Sequence, residues 1–175
     1  MLNAQCSIVH SALHLVNCMD ISQITDYLYV GGQPEAKHAD QLKALGVRLV
    51  ISMRAERRPP PAFHQPPLSA KWFRTYDTFF TPISVGTLVD GVQAALPIIE
   101  QGGRVFVHCH HGKHRSVAMA AAILIAKGHT AGEAMRVLRE RRAAADPQAW
   151  YIRRQIEKFE REWSGRGAKS EKRET

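Results

Sequence analysis

Short apolar runs alternate along the chain with stretches in which apolar residues recur every three or four positions. The runs VRLVISM (47–53), KWFRTY (71–76) and RVFVH (104–108) predict strands, the first and last of the buried type. YLYVGGQP (27–34) is a further β-rich run closed by a turn. PEAKHADQLKALG (34–46) sets Ala39, Leu42 and Leu45 on one face between a proline start and a glycine stop, which predicts a helix. Residues 87–101 carry Leu88, Val92, Leu96 and Ile99 at helical spacing and predict a second helix, kinked at Pro97. SVAMAAAILIAKG (116–128) is apolar on nearly all sides, the mark of a central buried helix. Thr130 and Glu133 form a capping box for a helix that runs to about Arg142. Asp146 and Pro147 then read as the N-cap and first residue of a last helix, with the stripe Ile152, Ile156, Phe159 and Trp163. Residues 54–69, with five prolines, and DTFFTPISVG (77–86) read as loops.

Strands alternating with helices predict an α/β fold: a single domain with a central, mostly parallel sheet flanked by helices. The 175 residues suit one domain, and 45% hydrophobic content is enough for a core. No internal repeat is present. The expected boundaries are an N-terminal extension over 1–20, a folded domain over 21–163 and a disordered basic tail over 164–175.

The formal net charge of +8 points to an anionic partner, although part of it sits in the tail GRGAKSEKRET. Three cysteines, Cys6, Cys18 and Cys109, are too few and too odd in number for a disulfide framework and fit a reducing cytosol. The N-terminal stretch lacks the basic and apolar regions of a secretory signal. No run of about 18 apolar residues predicts a membrane span. No aromatic residues interleave the charges as a nucleic-acid platform would need. The expectation is a cytoplasmic monomer.

The stretch VFVHCHHGKHRSVAMAAAILIAKG (105–128) carries the chemistry. Cys109 follows a strand directly, at the carboxyl end where α/β sheets place their sites. Arg115 and Ser116 come six and seven residues later, as a helix begins. A loop running into a helix N-terminus directs backbone N–H groups and positive dipole at one point. Arg115 can grip two oxygens of a phosphate, and the same field lowers the pKa of the Cys109 thiol. Gly112 lets the loop turn without a side chain striking the ligand. A thiolate beneath a tetrahedral anion is set for in-line attack on phosphorus.

The segment HCHHGKHRS matches His-Cys-x5-Arg-Ser and so resembles the signature loop of the cysteine-dependent tyrosine and dual-specificity phosphatases. The resemblance covers residues 24 to 160: ITDYLYVGGQP resembles the opening of such domains, and LKALGVRLVISMR follows as in their smaller members. Cys-x-x-Gly-Lys-His-Arg is similar to the loop of the plant and fungal atypical dual-specificity phosphatases, a group that includes inositol pyrophosphate phosphatases. This resemblance implies a dual-specificity-phosphatase fold and a metal-independent phosphatase with no cofactor, acting on phosphotyrosine, phosphoserine or phosphothreonine through a phosphocysteine. It makes Cys109 the nucleophile and Arg115 the phosphate ligand. The backbone of His110, His111, Gly112, Lys113, His114 and Arg115 becomes the oxygen cradle. Ser116 assists departure of the cysteine, and His108 orders the loop. The family draws a general acid from a loop about 30 residues earlier; Asp77 lies 32 residues before Cys109, and Asp90 lies 19 before it within a helical pattern. Asp77 is the expected acid, although TPIS follows it where a proline-isoleucine pair often precedes the aspartate.

Other readings of the loop exist. Zinc would use His108, Cys109, His110, His111 and His114, but structural zinc sites draw on two separated ligand pairs. A phosphate reader without activity keeps the cradle and loses a catalytic residue. Sulfur transfer needs no upstream acid, and arsenate reduction needs resolving thiols. Lys113 beside Arg115 favours a highly charged substrate, such as an inositol polyphosphate, an inositol pyrophosphate or a phosphoinositide. Arg54, Arg57 and Arg58 rim a cleft or belong to a solvated loop. Arg136, Arg139, Arg141 and Arg142 read as a solvated helix face.

Overall fold

The computed structural model describes residues 19–171, with side chains as far as residue 165. Cys6, Cys18 and the extension through residue 18 lie outside the described residues, as do the last four of the tail.

Five strands form one sheet: β1 (Ile21–Gln23), β2 (Leu28–Gly31), β3 (Val47–Ser52), β4 (Ser69–Trp72) and β5 (Arg104–His108). Their order is β1-β2-β5-β3-β4, with β1 antiparallel to β2 and every other pair parallel. β5 is thus the middle strand, with β2 on one edge and β3 on the other. Its pleat divides its side chains between two faces. Val105 and Val107 join the large core beneath the helices, and Phe106 joins a smaller core on the opposite face.

The helices are α1 (Ala39–Ala44), α2 (Val85–Glu100), α3 (Arg115–Ala126), α4 (Ala131–Arg141) and α5 (Trp150–Glu171). α3 lies at the centre, packed against α2, α4 and α5, and every residue from Arg115 to Ile125 is buried. That is why its sequence carries no polar face. The smaller core is closed by α1 and by a 3-10 turn, Pro61–His64, whose Phe63 is fully buried.

Local chemistry moved several boundaries. α2 starts at Val85 because Ser84 caps it, accepting from the Thr87 N–H at 3.0 Å, and it continues through Pro97 to Glu100. β4 spans Ser69–Trp72, earlier than KWFRTY predicts. Ala36–His38 form a 3-10 turn ahead of α1, since the His38 ring accepts from the Glu35 N–H. Thr130 and Glu133 make the expected capping box. Asp146 instead caps a turn, accepting from the Ala149 N–H at 3.2 Å, and α5 begins only at Trp150. α5 also runs on past Trp163 to Glu171, so the stretch 164–171 is helical where the sequence suggested a disordered tail. Met19 is buried and Asp20 is bonded to Arg142.

Candidate active site

Cys109 leaves β5 at its carboxyl end and is 1% exposed. The loop from His110 to His114 connects it to α3. Each of four successive carbonyls in that loop is held from outside. His110 O accepts from Gln33 N at 3.0 Å, and His111 O accepts from Arg142 Nη2 at 3.0 Å. Gly112 O accepts from Arg142 Nε at 2.8 Å, and Lys113 O accepts from Asp146 N at 3.0 Å. With the carbonyls tied outward, the loop N–H groups are left to face its centre. Those of Lys113 and Ser116 point at the Cys109 sulfur. Gly112 makes the turn at φ +63°, where a Cβ would collide with the Arg142 guanidinium and the Gly31 backbone.

The Cys109 thiol feels opposing effects. Burial pushes its pKa up. The Ser116 hydroxyl 3.3 Å from the sulfur, the Ser116 and Lys113 N–H groups and the Arg115 charge outweigh burial, and the net direction is down. His108 is fully buried, stacked on Phe106, with Nδ1 3.3 Å from Cys109 O. Burial drives its pKa down to about 4, so it is neutral under the loop and far from solvent.

Arg115 opens α3 and is 3% exposed. Its Nη1 donates to both Glu56 carboxylate oxygens, at 3.2 and 3.3 Å, and to Thr75 O at 2.9 Å. Its Nε is buried without a hydrogen-bond partner, 3.7 Å from Asp77 Oδ2. Burial pushes the Glu56 carboxyl up, but its own backbone N–H and the Arg115 and Arg54 charges hold it below the ordinary range. Glu56 therefore fixes the guanidinium from behind as an anion.

Asp77 reaches the loop from the segment after β4. His114 Nδ1 lies 3.2 Å from Asp77 Oδ1, and the Tyr151 hydroxyl donates to the same oxygen at 3.1 Å. Burial and the Asp77 charge push Tyr151 up to about 12, so it remains a donor. Asp90 is exposed on α2, and no hydrogen bond or ion pair joins it to the loop among the described residues. Of the two aspartates, only Asp77 is placed beside Arg115. The His110 and His111 side chains are exposed and tilted against each other, and Lys113 is exposed. His114 turns toward Asp77 and Asp146. Among the described residues, no group of three or more His, Cys, Asp or Glu could hold a metal ion.

Two basic assignments change. Arg142 is not on a solvated face; it is 3% exposed, bonded to both Asp20 oxygens at 2.9 and 2.7 Å and to the loop carbonyls. Arg54 is largely covered, donating to Gln33 Oε1 at 2.8 Å and paired with Glu56, while its carbonyl accepts from the Trp72 indole. Arg57 and Arg58 are exposed. Sequence reasoning missed Glu56 and Tyr151, neither of which carries a motif. Arg142 had a usable signal: it continues the spacing of the buried Met135 and Leu138.

Residues 28–162 match the model of the dual specificity phosphatase catalytic domain. Dual specificity protein phosphatase 1B of Arabidopsis thaliana is 30% identical over 148 residues, 83% of this chain and 85% of that protein. Among solved structures, PTPMT1 superposes with a TM-score of 0.73 at 25% identity, covering 85% of this chain and 99% of PTPMT1. Human DUSP28 superposes with a TM-score of 0.74 at 21% identity, covering 83% and 99%. With the family model spanning most of the chain, the protein belongs to the dual specificity phosphatase catalytic domain family and is a protein tyrosine/dual-specificity phosphatase.

Proposed function

We propose that the protein hydrolyses phosphate monoesters on protein side chains through a phosphocysteine, with Cys109 as nucleophile, Arg115 as phosphate ligand and Asp77 as general acid. One observation carries this reading. The Cys109 sulfur receives the Lys113 and Ser116 N–H groups of a loop whose carbonyls are tied from outside, beside a guanidinium held by Glu56. Such a ring of donors and one fixed cation stabilises the charge that builds on three equatorial oxygens in phosphoryl transfer.

In the first step the thiolate attacks phosphorus, the ester P–O bond breaks, and Asp77 gives its proton to the leaving oxygen. In the second, Asp77 takes a proton from water, which attacks the phosphocysteine. The Ser116 hydroxyl donates to the departing sulfur. Arg115 and the loop N–H groups supply the positive charge that this chemistry needs, so the reaction calls for no metal. A free thiol of lowered pKa needs reducing surroundings, and the cytosol is the compartment we assign. No helix among the described residues is long and apolar enough to cross a membrane.

A second reading keeps the chemistry and changes the substrate to an inositol phosphate or phosphoinositide. Exposed Lys113 next to Arg115 favours it, and PTPMT1 has been crystallised in complex with PI(5)P. Phosphate release from a phosphotyrosine peptide and from an inositol pyrophosphate, side by side in chelator, separates the two. Faster release from the peptide supports the protein substrate; faster release from the inositol compound supports the second reading. Cys109→Ser should abolish both. Release from neither would leave a phosphate-binding module without turnover.

A further inference from the structure

A groove of about 430 Å³ lies beside the candidate acid. One wall is the segment from the acid loop into α2: Phe79, Pro82, Ile83 and Val85. The other is one face of α5, where Tyr151, Arg154, Gln155 and Lys158 follow at i, i+3, i+4 and i+7. Tyr151 belongs to both places, since it lines the groove and donates to Asp77. The groove therefore adjoins, through Tyr151, the carboxyl that would protonate the leaving oxygen.

Two properties define what fits. The first wall is apolar except for Ser84 and carries no charge. It continues into exposed aromatics: Phe79 is 52% and Trp150 62% exposed, with their rings 6.1 Å apart. The second wall presents cations with little to neutralise them. Arg154 has no ion pair among the described residues, and Lys158 has only Glu162 at 3.9 Å. Arg153, on a neighbouring face, is by contrast bonded to Glu157 at 2.7 Å. An exposed apolar surface rimmed by one unpaired and one weakly paired cation suits a partner that is apolar and anionic together.

We infer that this groove is a substrate subsite for the polypeptide flanking the phosphorylated residue, selecting an apolar side chain followed by acidic ones. The inference rests on the protein-substrate reading above and adds a sequence preference to it. The apolar residue packs against the exposed faces of Phe79 and Trp150, and the acidic residues pair with Arg154 and Lys158. The link through Tyr151 to Asp77 favours a substrate segment over an unrelated partner, because an occupant of the groove lies beside the candidate acid.

The test is a binding measurement, so that it does not depend on turnover. Fluorescent phosphotyrosine peptides are titrated into Cys109→Ser: one flanked by phenylalanine and glutamates, the other by phenylalanine and lysines. The same titrations use Cys109→Ser carrying R154E and K158E. Both peptides are read on one preparation, so a general loss of folded protein cancels in the ratio. The acidic peptide should bind about tenfold tighter to Cys109→Ser, and the order should reverse with the two charge reversals. Equal affinities, or an order that the reversals leave unchanged, overturns the subsite. Binding of anionic vesicles lost on charge reversal, without any peptide discrimination, also overturns it and gives the groove to a lipid surface. Peptide discrimination without phosphate release from the wild type would instead retire the catalytic reading and keep the subsite.

Discussion

Arg142 and Asp20 stand 122 positions apart and form a doubly bonded ion pair at 2.9 and 2.7 Å. From that anchor, the same guanidinium reaches the carbonyls of His111 and Gly112. The candidate catalytic loop is therefore held in shape by a side chain at the end of α4 and a carboxylate just ahead of β1. Removing Arg142 strands both carbonyls. Arg142→Ala should cost about 3 kcal/mol in urea denaturation, the usual range for losing one partner of a buried charged network. Asp20 is half exposed, so Asp20→Asn should cost about 1 kcal/mol. Equal costs would mean that the salt bridge, rather than the loop carbonyls, is what Arg142 serves.

Glu56 determines where the Arg115 guanidinium points. Glu56→Gln keeps an acceptor and removes the charge, and Glu56→Ala removes both. The alanine variant should lower kcat/KM on an aryl phosphate by about tenfold or more, and the glutamine variant by less. Inorganic phosphate should weaken as a competitive inhibitor in parallel. An unchanged inhibition constant would show that Arg115 holds its position without Glu56.

Asp77 and Tyr151 should share one kinetic signature. An acid matters most when the leaving group is poor. Asp77→Ala should lower turnover of an alkyl phosphate by about a hundredfold and of a nitrophenyl phosphate far less. Tyr151→Phe removes the hydroxyl on Asp77 Oδ1 and should show the same leaving-group bias at smaller size. Equal losses on both substrates would remove Asp77 from the acid role.

The thiol can be titrated directly. Iodoacetamide labelling of Cys109 against pH should show a midpoint below that of an ordinary thiol, because hydrogen bonds and Arg115 outweigh burial. Ser116→Ala removes the hydroxyl donor and should move the midpoint up. A midpoint that stays where it was would assign the lowered pKa to the backbone N–H groups and Arg115 alone.

His108 predicts a sensitivity to acid. Its folded pKa is pushed down to about 4 from an ordinary 6.5. The unfolded chain binds the proton first, so stability is full above about 6.5 and is lost as pH falls toward 4. The loss approaches about 3 kcal/mol. Urea midpoints of the wild type and His108→Gln at pH 7 and pH 4.5 should show the wild type losing more. Equal losses would mean that His108 is protonated in the fold without penalty.

The strand, the cysteine, the arginine and the helix were legible because they are contiguous: β5, the loop and α3 are one local unit, and its residues carry their chemistry in order. The parallel sheet was legible for a similar reason, since buried runs such as RVFVH need apolar cover on both faces. What shapes the loop was not legible, because those partners meet only in the fold. Glu56 lies 59 positions from Arg115, and Tyr151 lies 74 from Asp77. Arg142 was hidden by company: Arg136, Arg139 and Arg141 are exposed, and it reads as one more of them. Its spacing from Leu138 puts it on the inward face, a signal that its charge outweighs in the sequence.

The outward ties on the loop carbonyls impose an order on the birth of the protein. Cys109 and Arg115 leave the ribosome well before Arg142, Asp146 and Tyr151. A nascent chain ending inside α4 carries the whole signature sequence and none of the bonds to Gly112 O, Lys113 O or Asp77 that come from those later residues. The loop thus gains these outer ties only when almost the full domain has been translated, however early its motif is complete.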